Sequence, residues 1–305
     1  MTLRVVLAGG SGFLGTQLRE ALTTRGHTVT RLVRRPAEGA EESTWDPYAG
    51  EVDAAVIAAS DVVVNLAGSP TAGNPHSKKW ARELRESRIT TTTVLAEAVA
   101  AAAAGGGAPP AFLAGNGISY YGDHGDAVLT ESSDSRGHGL LTEVTREWEA
   151  AAEPARAAGS RVCVLRTAPV MDAAAPPLSL LRPLFKLGLG GRLGSGRQHM
   201  AMISLRDWVG AVVHLAEHDS VSGPVNLCCV ETPTNAAFTK ALASALRRPS
   251  FAAVPAPLLR VGAGDLSTEL LNSLNVRPQA LLDSGYSFAD PDVTAVVGSG
   301  LARRR

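Results

Sequence analysis

Residues 5–18 read VVLAGGSGFLGTQL, an apolar β-branched run followed by Gly9, Gly12 and Gly15 at equal spacing. This stretch limits the fold more than any other in the chain. Residues 3–8 read as a strand buried on both faces. Residues 13–24 carry Leu14, Leu18, Ala21 and Leu22 on one side of a helix, and Gly26 is its stop. Glycines between a strand and a helix let the backbone approach a pyrophosphate, while the first N–H groups and the positive dipole end of the helix face the anion. The expected cradle is Gly9, Gly10, Ser11, Gly12, Phe13, Leu14 and Gly15. Gly10 and Gly15 also have the spacing of a nucleoside-triphosphate loop, but Thr16-Gln17 stands where that loop needs Lys followed by Ser or Thr.

Strand-like runs and helical patterns continue to alternate. HTVTRLVR, SDVVVNLAG, AFLAGNG and RVCVLRT read as strands; residues 80–104 and 140–158 read as helices. The alternation predicts an α/β fold, a Rossmann-type doubly wound parallel sheet with a smaller C-terminal α/β substrate lobe. The expected division is residues 1–170 as the nucleotide-binding domain, with 204–223 packing back onto it. Residues 171–203 and 224–305 form the lobe.

Composition narrows the partners. Lys+Arg and Asp+Glu are 29 each, so the net charge is zero. Broad binding to nucleic acid or to an anionic membrane needs a basic excess. The triplet Arg303, Arg304 and Arg305 falls short of a basic patch and reads as a solvated tail. The cysteines are Cys163, Cys228 and Cys229, an odd count without a CxxC pair, which predicts neither a disulfide framework nor a zinc site. A reducing, cytoplasmic compartment is expected. The Ala-rich run at 94–104 contains Glu97 and ends in glycines, so no membrane span is expected. His214 and His218 stand four apart on a helix without a third ligand and read as a solvated helix end; no metal is expected. Asp207 in SLRDW reads as a helix cap.

The second strand ends RLVRRP. An acidic residue here, about 20 positions after the glycines, would grip the ribose 2′-hydroxyl of NAD. Arg31, Arg34 and Arg35 stand there instead. Guanidinium forks suit a 2′-phosphate, which a carboxylate would repel. The expected cofactor is therefore NADP(H), with Arg34 first and Arg35 or Arg31 assisting.

The GGSGFLG turn resembles that of extended short-chain dehydrogenase/reductases, the group that includes nucleotide-sugar epimerases. NLAGSP, SRI, SYYGD, EWE, LRTAPVM, LGLGGRLGSGRQHMAMI and VRPQALLDSGYSF narrow the resemblance to the subfamily labelled "epimerase family protein", with a C-terminal domain of unknown role. The resemblance implies that Leu66, Ala67 and Gly68 flank the ribose and pyrophosphate. It also places Thr167, Ala168, Pro169 and Val170 at the nicotinamide end, and Arg197 and Gln198 where substrate is held, with loop anchoring as their alternative. Arg88, in SRI, is a further substrate-binding candidate, with a helix-surface role as its alternative.

The Tyr-x-x-x-Lys pair of that group occurs nowhere in the chain; the matching helix carries Leu141 and Thr145 at those places. GNGISYYGD at the end of the fifth strand supplies Asn116, Ser119, Tyr120 and Tyr121 as substitutes. A phenol without a lysine beside it keeps a pKa near ~10, a poor base but a serviceable acid at neutral pH. That favours reduction of a carbonyl or enone of a small molecule, with Tyr121 or Tyr120 donating the proton; structural packing of both tyrosines against the cofactor loop is the alternative. An NADPH-binding sensor without turnover and a sugar-nucleotide-type epimerase or dehydratase are the alternatives. Among partners, a homodimer stays open.

Overall fold

The structure is a computed structural model that describes residues 2–302 except 72, 106, 251, 256 and 258–263. The triplet Arg303–Arg305 lies outside the described residues.

The strands are β1 (Arg4–Ala8), β2 (Thr28–Val33), β3 (Glu42–Thr44), β4 (Val62–Asn65), β5 (Ala111–Gly117), β6 (Val128–Leu129), β7 (Val162–Thr167), β8 (Val170–Met171), β9 (Gly191–Leu193), β10 (Ile203–Ser204), β11 (Gly223–Leu227), β12 (Ala252–Val254) and β13 (Asn275–Val276). Seven of them form one sheet in the order β11-β7-β5-β4-β1-β2-β3, and every pairing in it is parallel. From β1 the chain winds outward one way through β2 and β3; from β4 it winds the other way. The reversal opens a crevice at the carboxyl ends of β1 and β4, where open α/β sheets take their ligands.

Helices α1 (Phe13–Thr24), α2 (Ala54–Ala58), α3 (Lys78–Ala104), α4 (Leu140–Ala150), α5 (Glu153–Ala157), α6 (Leu178–Lys186), α7 (Leu205–Glu217) and α8 (Asn235–Ala245) follow in chain order. Side chains alternate across the sheet. Val5 and Leu7 join Leu18 and Leu22 of α1 and Trp208 and Val212 of α7 on one face. Val6 and Ala8 join Leu95 and Val99 of α3 and Ala155 of α5 on the other. Leu18 and Leu22 are fully buried, and each contributes about 1.5–3 kcal/mol of hydrophobic stabilisation. This two-sided burial explains why β1 and β4 read as unbroken apolar runs.

Two expectations are corrected here. The helix expected over 140–158 is split into α4 and α5, with Pro154 in the first turn of α5. A proline ring has no N–H for the carbonyl four residues earlier. Residues 224–227, expected in the lobe, complete the main sheet, since Pro224 to Leu227 pair with Val164 to Thr167. The lobe has its own core, in which Leu178 and Phe185 of α6 meet Phe238 and Leu242 of α8 and Val296 and Val297 near the C-terminus. Among the described residues, no helix is long and apolar enough to cross a membrane.

Asp207, expected as a helix cap, is instead the third residue of α7, and the cap is Ser204. Ser204 Oγ caps α7 by accepting from the Asp207 N–H at 3.1 Å. The Asp207 carboxylate itself accepts from the N–H groups of Ala289 at 2.8 Å and Asp290 at 2.7 Å, tying the lobe to α7. At the other end of α7, Glu217 accepts from Arg25 at 2.7 and 2.8 Å, just beyond α1, and sits 3.0 Å from His27 Nε2. The Arg25 hydrogen bonds, helped by His27 and opposed by partial burial, hold the Glu217 carboxyl below the ordinary carboxylate range. A depressed folded-state pKa gives stability that is present above the ordinary Glu value and lost as pH falls through the folded value. Glu217→Gln is therefore expected to lower Tm at neutral pH and to flatten its decline on the acid side. Thermal melts of both proteins over that range check it; parallel declines would show that Glu217 contributes none of the slope.

Candidate functional site

The crevice is built by backbone. Gly9, at the end of β1, has φ of 79°, and a Cβ there would lie 2.6 Å from the carbonyl carbon and oxygen of Leu66 beyond β4. Gly12 N–H donates to Gly9 O at 3.0 Å and closes the turn. A Cβ on Gly15 would lie 2.2 Å from Gly9 O, so only glycine lets α1 start this close to the strand. Gly12 is the N-cap of α1 with no side-chain cap, and the first turn contains no acid. The helix therefore presents its positive end to the crevice. Ser11 and Gly12 are exposed, and Phe13 and Leu14 are half-buried. Opposite them, Leu66 N–H donates to Ala8 O at 3.0 Å and Ala67 N–H to Asn65 Oδ1 at 3.0 Å, with Gly68 exposed next in line. A cradle that any side chain would fill, capped by an unneutralised helix end, fits a dinucleotide pyrophosphate.

The three arginines at the end of β2 differ. Arg31 lies along the turn, where a Cβ on Gly10 would meet its Cγ and Cδ at 3.3 Å. Arg31 pairs with Glu42 of β3, its Nε is buried without a partner, and Arg35 donates to both Glu42 oxygens at 2.8 and 2.9 Å. Hydrogen bonds from Arg35, then from the Glu38 backbone, hold the Glu42 carboxyl below its usual range. The two assisting arginines are thus occupied by a carboxylate that sequence reading missed. The parallel register of β2 and β3 sets Arg31 opposite Glu42, and no local pattern announces it. Arg34 is exposed and forms no hydrogen bond or ion pair among the described residues. A cleft of about 590 Å³ opens beside it, lined by Thr44, Trp45, Asp46 and Val52.

Arg88 of α3 is not a surface arginine. Its Nη1 donates to Leu84 O at 2.9 Å and its Nη2 to Thr71 Oγ1 at 3.0 Å, and its guanidinium lies over Trp148. Its Cγ would touch a Cβ on Gly68 at 3.4 Å. Burial pulls its pKa down to about 10. Among the described residues no carboxylate pairs with it, so a half-buried cation stands without a counter-ion beside the crevice. Such a charge is costly to leave uncompensated.

The residues after β5 are corrected. Tyr121 is fully buried. Its hydroxyl donates to Asn226 Oδ1 at 2.7 Å and accepts from Arg166 Nη1 at 2.9 Å. Burial, partly offset by Arg166, pushes its pKa up to about 12. A phenol enclosed and committed in this way is not open to a substrate. Asn116 is also buried; its amide donates to Thr145 O at 3.1 Å and its oxygen accepts from Gly117 N–H at 2.7 Å, a structural role. Tyr120 is half-buried with its ring 3.6 Å from the Arg166 guanidinium carbon. Ser119 is half-buried. At the tyrosine and lysine places, Thr145 is buried and donates to Leu141 O at 2.8 Å.

At the carboxyl end of β7, Thr167 Oγ1 accepts from Trp208 Nε1 at 3.3 Å and Ala168 N–H donates to Leu227 O at 3.0 Å. Pro169 is exposed and Val170 begins β8. In the lobe, Gln198 spends its amide on Leu193 O and Leu270 O, so it anchors a loop; Arg197 is exposed. His214 and His218 stack with ring centroids 4.1 Å apart, and His214 Nε2 lies 2.9 Å from Ser284 Oγ.

A model described as the NAD dependent epimerase/dehydratase family matches residues 5–228. The chain belongs to that family. A second model, a domain of unknown function (DUF1731), matches residues 254–298. Within the family, the epimerase family protein ML0860 of Mycobacterium leprae is 40% identical over 93% of this chain and 91% of its own. The human epimerase family protein SDR39U1 (isoform 2), crystallised with NADPH, superposes with a TM-score of 0.84 at 30% identity over 97% of this chain and 98% of that one. A nucleoside-diphosphate sugar epimerase from Corynebacterium glutamicum gives a TM-score of 0.77 at 31% identity, covering 99% of this chain and 58% of that chain. The chain is thus an extended short-chain dehydrogenase/reductase with a Rossmann-like sheet.

Proposed function

We propose that this family member is an NADP(H)-dependent oxidoreductase that reduces a carbonyl or enone group of a small molecule. One observation carries the choice of NADP(H): at the end of β2, the exposed and unpaired Arg34 faces outward where an NAD site would hold a carboxylate. The human SDR39U1 structure with NADPH supports it. When bound, the reduced dinucleotide supplies the hydride. Gly9 to Gly15 and the start of α1 hold its pyrophosphate, Arg34 its 2′-phosphate, and Thr167 to Val170 its nicotinamide end. Arg88 offers its uncompensated charge to the phosphates or to an anionic substrate. Leu141 and Thr145 leave no base to oxidise a sugar hydroxyl, which disfavours an epimerase cycle of oxidation and re-reduction. The same loss favours a sensor that binds NADPH without turnover, and oxidation of NADPH in the presence of carbonyl probes separates the two.

Removing Arg34 removes one charge-assisted contact. Arg34→Ala is expected to weaken NADPH binding by roughly 10- to 100-fold and to leave NADH binding unchanged. Paired calorimetric titrations measure this. Equal losses for the two nucleotides would remove the basis for NADP(H).

A further inference from the structure

The segment 264–274 of the lobe packs against the loops that precede α3, follow β5 and precede α4. A Cβ on Gly264 would lie 2.8 Å from the His76 ring, ahead of α3. Gln198 Nε2 donates to Leu270 O at 3.3 Å, Ser273 N–H to Asp123 Oδ1 at 3.2 Å, and Leu274 N–H to His199 O at 3.0 Å. Between these anchors the short helix Ser267–Leu271 carries Glu269 to the start of α4. A Cβ on Gly139, the N-cap of α4, would lie 3.3 Å from Thr268 Oγ1 and 3.5 Å from Glu269 Oε1. Two residues on, α4 presents Leu141 where the family's tyrosine belongs. Ser119, after β5, lies beside the carboxyl, and Glu269 Oε1 is buried without a hydrogen-bond partner among the described residues. A buried carboxyl oxygen without a donor is expensive unless it carries a proton or meets a ligand.

Among the described residues, no cation forms an ion pair with it. The titratable groups on the flanking elements are Tyr120, Tyr121 and Asp123 after β5, His138 just before α4 with Glu143, Arg146, Glu147 and Glu149 along it, and His76 ahead of α3. Burial, opposed by the Ser119 hydrogen bond, raises the Glu269 carboxyl above its ordinary range. A carboxyl raised in this way holds a proton closer to neutral pH, as a general acid must.

We propose that Glu269 is the proton donor of this site, supplied by the lobe in place of the tyrosine that Leu141 replaces. The proposal rests on the reductase reading. In the step, the substrate carbonyl carbon accepts a hydride from the bound reduced dinucleotide, and the C=O π pair moves to oxygen. The oxygen takes the proton of the Glu269 carboxyl. Glu269 is left as carboxylate and regains a proton from solvent, and the dinucleotide leaves oxidised. Ser119 positions the carboxyl.

The first test needs no nucleotide. Infrared spectra of the full chain across a pH series should contain a protonated-carboxyl band that persists above the ordinary Glu range and is absent from Glu269→Gln. Ser119→Ala removes a bond that favours the carboxylate, so its band should persist to higher pH. The second test uses NADPH with para-nitrobenzaldehyde and diacetyl as probes. Glu269→Gln should bind NADPH as wild type does and lose at least about 100-fold in turnover, with Glu269→Asp recovering part of it. No Glu269-dependent band, or full turnover in Glu269→Gln, overturns the proposal. Wild-type protein that binds NADPH and oxidises it with neither probe overturns the reductase reading, and the proton donor with it. Turnover that is equal in wild type and Glu269→Gln overturns Glu269 alone.

Discussion

Gly15→Ala is expected to abolish measurable NADPH binding while Gly26→Ala leaves it intact. In an ordinary helix, Gly to Ala gains about 1 kcal/mol from propensity. At position 15 the new Cβ would lie 2.2 Å from Gly9 O and 2.9 Å from Gly10 Cα, both backbone atoms of the turn. No rotamer relieves that contact, so α1 or the turn must move. A displacement on the order of 1 Å between donors and ligand costs about 100-fold in such pre-arranged sites. Overpacking adds roughly 1–3 kcal/mol of destabilisation, which outweighs the propensity gain. Gly26 supplies the control. Its φ is 85°, so alanine there is strained, yet nothing lies within 4 Å of the added carbon. Gly26→Ala should lower Tm without touching the nucleotide site. Calorimetric titration beside thermal melts of both variants separates stability from binding. Wild-type affinity in Gly15→Ala would mean that the turn is not the cradle.

Local chemistry made the nucleotide half of the molecule readable. The helix expected over 13–24 is α1 residue for residue, because glycines bound it on both sides and its leucines keep helical spacing. The unbroken apolar runs at β1 and β4 identify strands covered on both faces. What failed to show depends on partners far along the chain. From the sequence, Tyr121 reads as a candidate proton donor. Its burial is decided by Asn226, 105 positions away, and by Arg166, 45 away. Arg31 and Arg35 read as assistants to Arg34 from the sequence, and the register of β2 and β3, which sets Glu42 beside them, is not visible there. Glu269 lies about 150 positions from Ser119 in a segment of short elements, where apolar periodicity carries little information. The neighbours of Ser119 are therefore set by lobe docking, and only the docked structure brings Glu269 beside the start of α4.

One buried ion pair ties β7 to α4 beneath the 118–121 turn, and breaking it from the acidic side is expected to be strongly destabilising. The Arg166 side chain is 2% exposed and donates to both Glu149 oxygens, at 3.0 and 3.1 Å. It also donates to Tyr121 Oη at 2.9 Å and lies under the Tyr120 ring, fixing the turn at 118–121 that presents Ser119. Glu149→Ala leaves that guanidinium charged, buried and without its counter-ion, an expected loss of about 3–5 kcal/mol. Arg166→Met should cost less, because the Glu149 side chain is 19% exposed and can be hydrated. The double variant Glu149→Leu/Arg166→Met should recover much of the stability lost in Glu149→Ala, since well-packed apolar groups replace the whole pair. Denaturant unfolding of the three proteins measures the asymmetry directly. A Glu149→Ala protein within about 1 kcal/mol of wild type would behave like an exposed surface pair and would place Arg166 in water. The double variant also separates packing from positioning. If it folds and binds NADPH but the Glu269 carboxyl loses its shifted titration, then Arg166 holds the 118–121 turn in register with the lobe.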